Sequence, residues 1–286
     1  MKKLYAWEKN LTNQTRDSFK YALGMIGAIS TILTIFGVSI RDIPNVNLWW
    51  SIVLVAAAFI VAFGIFYYLL DIIFRNSIKL DIRKTQVTIT CGDIFASTGL
   101  KVIGCDTRFD TRIDDIVISK SSLHGQLFLK YGDIKEIEST VKAEAERRNI
   151  SKNEDGSYSF ELGTIIRYYC SRNNETYLML AATELNKQYE AHTNMAEFEQ
   201  MLMVMWRELD RVYARNNINL PLLGSGISRF DDGPKDNKEL LKCMLCTLNN
   251  SGVTFKSKVN VVLYRKPDDD NNDDIPLYEY KDMFKL

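Results

Sequence analysis

A chain of 286 residues, 46% apolar and 25% charged, can hold one large domain or two modest ones and is composed like a folded protein rather than a disordered one. Its 36 basic and 36 acidic side chains cancel, which argues against the broad basic surface of a nucleic-acid binder. The cysteines Cys91, Cys105, Cys170, Cys243 and Cys246 are odd in number and lack a disulfide-framework spacing, as expected of a reducing compartment.

Charge is unevenly spread. No charged side chain occurs from Tyr21 to Ile40, nor again from Ile43 to Leu70, where Pro44, Asn45 and Asn47 mark a turn at the start. A helix rising about 1.5 Å per residue crosses a hydrocarbon core of about 30 Å in about twenty residues, and neither run has the polar face that a water-soluble helix needs. Trp49 and Trp50 at one end of the second run, with Tyr67 and Tyr68 at the other, suit the headgroup level. The first run is longer than the core of a signal peptide and a second span follows it at once, so both are expected to be retained.

These features predict a two-helix transmembrane hairpin over 19–74. Lys2, Lys3, Lys9, Arg16 and Lys20 precede it, Arg75, Lys79, Arg83 and Lys84 follow it, and the connecting loop offers only Arg41. Positive flanks stay inside, which predicts an inner-membrane protein with cytoplasmic N- and C-termini, the N-terminal segment being 1–18. Gly24, Gly27, Ala28 and Ser30 are either small surfaces for helix contact or lipid-facing spacers.

Beyond the hairpin, residues 75–86 read as a basic linker and the 87–266 region as an α/β domain. A strand is expected from Val87 in VTITCGDIF, and short β-branched runs at Leu100 to Gly104 and Asp115 to Ser119 suit buried strands. The spacing of Ile134, Ile137, Val141 and Ala145 predicts a helix over 133–149, and SKNEDGS predicts a turn. Paired strands are expected within Tyr158 to Tyr169 and Tyr177 to Thr183. The stripe Phe198, Leu202, Met205 and Leu209 predicts a helix from Asn194 to about Asn216, its methionines in the core. A strand at Ile218 to Leu223, a loop at GSGISRF, a helix at Lys238 to Leu248 and a strand at Val259 to Leu263 complete the domain. The tail 267–286 begins with the acidic PDDDNNDD. Strands alternating with helices predict a layered α/β fold.

Two motifs stand where a chain leaves a strand. Gly224 and Gly226 of GSGIS would let backbone N–H groups approach a phosphate, although such a turn is often only a tight connection. Gly92, Asp93, Ile94 and Phe95 form the other: the carboxylate can accept from an exocyclic amine and the phenyl ring can face a base, or the aspartate can simply cap the next turn.

In this order GDIF and GSGIS resemble the macro domain family, whose three-layer α/β/α fold with a mixed sheet binds ADP-ribose and its derivatives. With CDTRFDTRIDDIVISKSSLHGQLF, LLGSGISRF and the hairpin in front, the chain looks like the membrane-anchored macro-domain effectors of type II Thoeris antiphage defence. That resemblance implies that Asp93 and Ile94 meet adenine, and that Gly224, Ser225, Gly226, Ile227 and Ser228 form the phosphate loop; Phe95 and Arg229, next to these motifs, are expected among the ligand-binding residues. It implies a signal, an ADP-ribose derivative, made by a TIR-domain enzyme that consumes NAD. Binding would be followed by homo-oligomer formation, membrane disruption and abortive infection, without a cofactor or metal and without catalysis by this chain.

The asparagine-rich segment of the hydrolytic macro domains is replaced here by Gly104, Cys105, Asp106 and Thr107, which sets the chain apart from an ADP-ribosyl hydrolase. A membrane-tethered hydrolase of ADP-ribosyl groups or nucleotides is the alternative. Asp106 and Asp110 either hold ribose hydroxyls or are exposed loop carboxylates, and His124 in SSLHG either touches a phosphate or sugar or is structural. His192 is expected at the surface. Cys243 and Cys246 lack a second pair for a metal and read as core residues, and no nucleophile elbow is present.

Overall fold

A computed structural model describes residues 13–35, 48–74, 77–186, 188–226, 229–264 and 277. Ile227 and Ser228, the segment 36–47 and the acidic tail 267–274 lie outside the described residues.

The first unit contains two helices, α1 (Asn13–Ile35) and α2 (Leu48–Phe74), both long and apolar enough to cross a membrane by length and composition. They pack on each other through small side chains: Ser18, Ala22 and Ala62 are buried, while Phe19 meets Phe59 edge to face at 5.2 Å. Gln14 donates to the Tyr67 carbonyl at 3.1 Å, so the pair runs antiparallel. Gly24, Gly27, Ala28 and Ser30 are exposed, off the face of α1 that meets α2. Thr31 and Thr34 return their hydroxyls to the carbonyls of Gly27 and Ser30, which satisfies these polar groups without a partner helix.

The second unit is built on a seven-stranded sheet: β1 (Ser77–Ile82), β2 (Thr85–Cys91), β3 (Leu100–Asp106), β4 (Ile165–Cys170), β5 (Glu175–Thr183), β7 (Ile218–Pro221) and β9 (Val259–Leu263). Their order is β1-β2-β9-β7-β3-β5-β4. Strands β2, β9, β7, β3 and β5 are parallel, and β4 is antiparallel to β5. Strand β1 occupies part of the expected linker: Ile78 and Ile82 alternate inward with exposed Lys79 and Asp81.

Both faces of the central strands are buried. Ile103, Cys105, Tyr177 and Met179 point into one core, with the helix α4 (Ile134–Arg147) laying Ile137, Val141 and Ala145 against it. The alternate residues Val102, Leu178 and Leu180 are buried too, as a strand covered on two sides requires. Helices α5 (Met195–Val212) and α6 (Asn237–Ser251) pack together, with the Trp206 indole donating to the Thr247 hydroxyl at 3.1 Å. Each begins with a capping box, Asn194 with Glu197 and Asp236 with Glu239, which satisfies N–H groups left open at a helix start. Phe198, Leu202, Met205 and Leu209 are buried as their spacing predicts.

Asp115 to Ser119 is not a strand. The Asp114 carboxylate accepts from the amides of Ile116 and Val117, and Asp115 from that of Lys120, so side-chain turns displace the ladder that DIVIS suggests. Ile116 is 73% exposed. The next segment is instead helical: α3 (Leu123–Gln126), capped by the Ser122 hydroxyl, runs into a wider turn over Leu127–Tyr131.

At the N-terminal ends of the parallel strands a buried polar network holds the sheet. The Lys101 side chain, 1% exposed, donates to Glu175 at 2.8 Å and lies 5.8 Å from the Tyr177 ring centre. Tyr177 donates its hydroxyl to the same carboxylate, and Asn219 bonds the carbonyls of Thr98 and Leu100. Each buried polar group there has a partner, as stability demands.

Candidate functional site

The loops that leave β2, β7, β3 and β5 share the C-terminal edge of the sheet, where open α/β folds bind ligands. After β2, the Asp93 carboxylate accepts from the Phe95 amide at 2.9 Å and caps the short helical turn Ile94–Ala96. Asp93 remains exposed, but Ile94 and Phe95 are buried, and the Phe95 ring stacks on Tyr131 at 4.1 Å. This corrects the reading of Phe95 as a platform for a base: its ring belongs to the core.

After β7, Leu222 and Leu223 are buried and the chain turns at Gly224 with φ of +81°. A Cβ at Gly224 would lie 3.1 Å from Leu240 and 3.3 Å from Phe230, so the loop backbone is pressed onto α6 and its surroundings. Ser225 donates its hydroxyl to the Leu222 carbonyl at 2.7 Å and holds the turn. Gly226 is exposed, with nothing within 4 Å of an added Cβ. Arg229 follows in the short strand β8 (Arg229–Phe230), paired with Glu190.

The residues after β3 are not exposed loop carboxylates. Asp106 is 2% exposed and accepts from the amides of Arg108 and Asp110, both at 2.9 Å. Burial raises its pKa, opposed by those amide bonds. Asp110 is pulled below the usual carboxylate range: partial burial pushes up, but the bidentate Arg112 guanidinium outweighs it. His124 is 4% exposed, its Nδ1 lies 3.9 Å from Asp106, and its Nε2 is buried without a hydrogen-bond partner. Burial lowers its pKa to about 4, against the pull of the Asp110 charge, so the ring is neutral at pH 7. Gly125 makes this seat possible: an added Cβ would stand 2.2 Å from the Ser119 carbonyl oxygen, so only glycine lets α3 sit that close.

A neutral imidazole beside a desolvated carboxylate, with one nitrogen unpartnered, is suited to receive a ligand hydroxyl; leaving such a nitrogen unpaired costs about 1–3 kcal/mol. A cleft of about 280 Å³ is lined by Thr107, next to Asp106 in the chain, and by Phe160, Glu184, Glu197, Gln200 and Met201 among others. Neither this cleft nor the cluster of Arg112, Tyr189, Glu190 and Asp231 is visible in the sequence, because their members come from separate loops. His192 is at the surface as expected, with its pKa raised by Asp231 and Glu190. Among the described residues no group of three or more His, Cys, Asp or Glu side chains could hold a metal ion.

The profile of a family described as "Thoeris protein ThsA, Macro domain" matches residues 87–264. The chain belongs to this family. A relative, the Thoeris protein ThsA of Bacillus amyloliquefaciens strain Y2, is 28% identical over 294 residues, spanning 98% of this chain and 94% of that one. Two solved structures of the Oceanobacillus iheyensis macrodomain, one with MES bound and one with ADP, each align with a TM-score of 0.47 and 18% identity. Each alignment covers 73% of this chain and 95% of the other.

Within this ThsA macro domain the two loop glycines are expected to behave differently. Gly224→Val, strained at positive φ and crowded by Leu240 and Phe230, should destabilise by about 1–3 kcal/mol. Gly226→Leu should leave the thermal midpoint within about 1 °C of wild type, since an added Cβ meets nothing within 4 Å. A midpoint lowered as far as that of Gly224→Val would show that the turn is packed at Gly226 as well.

Proposed function

We propose that this chain is an antiphage defence effector in which the domain starting near residue 77 senses an ADP-ribose-derived signal. Asp93 would meet the adenine, the backbone at Gly224 to Gly226 with Arg229 the diphosphate, and Asp106 with His124 the hydroxyls of the distal ribose or its substituent. The observation that carries the reading is the buried, unpartnered His124 nitrogen beside Asp106, at the same sheet edge as the glycine loop. A group that is costly to bury unpaired is retained here where a ligand would pair it.

The signal would come from a TIR-domain enzyme that consumes NAD. The helices α1 and α2 would anchor the chain in the inner membrane with both termini cytoplasmic. The bound state would then self-associate and disrupt the membrane through clustered hairpins. Such coupling requires the signal to bind the assembled state more tightly than the resting one. The chain acts as a sensor, not an enzyme. Hydrolysis of the ligand is the competing reading, with the neutral His124 ring as its proton acceptor.

The test is calorimetric titration of the full chain in lipid nanodiscs with ADP-ribose and with products of a TIR-type NAD-consuming enzyme, followed by chromatography of the ligand. Saturable binding with intact ligand is expected. Turnover would replace the sensor by a hydrolase, and no binding of any of these compounds would remove the ligand assignment.

A further inference from the structure

The sheet order places β3 between β7 and β5, yet the loops of those outer strands are joined. Leaving β5 at Thr183, the chain forms a small hairpin closed by the Leu185 to Ala191 bridge. Asn186 accepts the amides of Gln188 and Glu190 at the turn, and Tyr189 takes a φ of 60°; Lys187 lies outside the described residues. Then β6 (His192–Thr193) pairs in parallel with β8, directly beyond the glycine loop. To reach β8 from β5, residues 184–193 must cross the end of β3, the strand that ends in Asp106.

On the way, the hairpin is tied to the β3 loop as well: the Arg112 guanidinium, gripped by Asp110, lies 5.4 Å from the Tyr189 ring centre. On the far side, Glu190 accepts from Arg229, and the His192 ring lies between Asp231 at 2.7 Å and Glu190 at 3.3 Å. Backbone bonds from Arg229 to Ala191 and from Asp231 to Thr193, both 2.9 Å, complete the closure. On the β8 side the charged side chains Glu190, His192, Arg229 and Asp231 are all at least one-third exposed. Exposed pairs of this kind shift an equilibrium by no more than about fivefold each, so the strap is held weakly.

We infer that residues 188–193 are a strap released by anionic ligands, with Arg229 as the switch: it binds Glu190 when the site is empty and the ligand's diphosphate when it is full. The inference rests on the assignment of the Gly224 to Gly226 turn as the diphosphate site. A diphosphate carries more charge than one carboxylate and offers a guanidinium paired oxygens, so it competes for Arg229 on favourable terms. One side chain cannot serve both anions in the same geometry. Loss of its partner leaves Glu190 with only His192 and loosens the hairpin on β8, where the two backbone bonds and the His192 to Asp231 contact remain, so that occupancy of the glycine loop shows as faster opening at the surface over β3. A ligand without the diphosphate, such as a nucleoside, leaves the strap closed.

Hydrogen exchange of the full chain in lipid nanodiscs, with and without ADP-ribose, tests this. The ligand is expected to speed exchange of the amides of residues 188–193 at least threefold, and adenosine to have no effect. Glu190→Gln and Arg229→Gln should each show the faster exchange without ligand, but affinity for ADP-ribose should move in opposite directions. It should tighten up to about fivefold in Glu190→Gln and weaken in Arg229→Gln. Binding with unchanged or slower strap exchange, or a parallel loss of affinity in both variants, overturns the switch and leaves the site. Absence of binding by the wild-type protein overturns the diphosphate site and the switch with it.

Discussion

Asp106→Ala is expected to lower the unfolding free energy by about 2–3 kcal/mol, with Asp106→Asn losing roughly half as much. The carboxylate is the acceptor for the amides of both Arg108 and Asp110, and it is buried where water cannot replace it. Alanine leaves those N–H groups unpaired at about 1–3 kcal/mol each, an amount partly offset because a desolvated charge is removed as well. Asparagine keeps one acceptor. Urea unfolding measured on the full chain in detergent would give the difference from the midpoints. An alanine variant as stable as wild type would mean that the loop after β3 is held by something other than Asp106.

The second large effect is a pH dependence set by His124. Its folded-state pKa of about 4 lies below the ordinary 6.5, so between those values the unfolded chain takes a proton that the folded one refuses. Stability from this ring is therefore fully present above about pH 6.5, falls as the pH drops through the window, and is lost below about pH 4. The gap corresponds to roughly 3 kcal/mol. Asp106 acts in the opposite sense: its raised pKa makes the folded state hold a proton longer, which favours folding on the acid side. Subtracting the pH profile of His124→Asn from that of wild type isolates the ring. The wild-type curve should fall more steeply from pH 6.5 to 4, and parallel curves would show that the imidazole does not titrate as a buried neutral group.

Much of this fold was legible where a single element supplies its own periodic signal. Phe198, Leu202, Met205 and Leu209 recur on one helical face, and VNVVL matches its strand from end to end. Strand β1 carries its alternation openly, Ile78 and Ile82 inward with Lys79 and Asp81 outward, but those charges also suit a segment emerging from a membrane. Asp115 to Ser119 has the composition of a strand. What decides against it is local hydrogen bonding by Asp114 and Asp115, a competition that β propensity does not contain.

The candidate site was legible only in part, for the same reason. The positions of Asp93, Gly224 and Asp106 at strand ends follow from motif and order, whereas the seat of His124 on α3 against Asp106 does not. The inward turn of Phe95 onto Tyr131 does not, because a residue 36 positions further along decides it. Nor do the pairs joining Glu190 to Arg229 and His192 to Asp231, which span two loops and rest on strands of two residues each, too short to leave a period.

The Lys101 network gives the domain two ends with different tolerances. Its buried cation, phenol and amide, with the half-buried Glu175 carboxylate, knit β3, β5 and β7 together at the edge remote from the loops, and removal of Glu175 would strand the Lys101 ammonium in the core. That end is rigid and intolerant of change. At the opposite edge the buried anchors Asp106, His124 and Gly125 are fixed, but exposed loop positions such as Asp93, Ser225 and Gly226 can change while the scaffold beneath them keeps its register. On the proposed sensing role, a lineage meeting a newly modified signal could retune recognition there without rebuilding the protein.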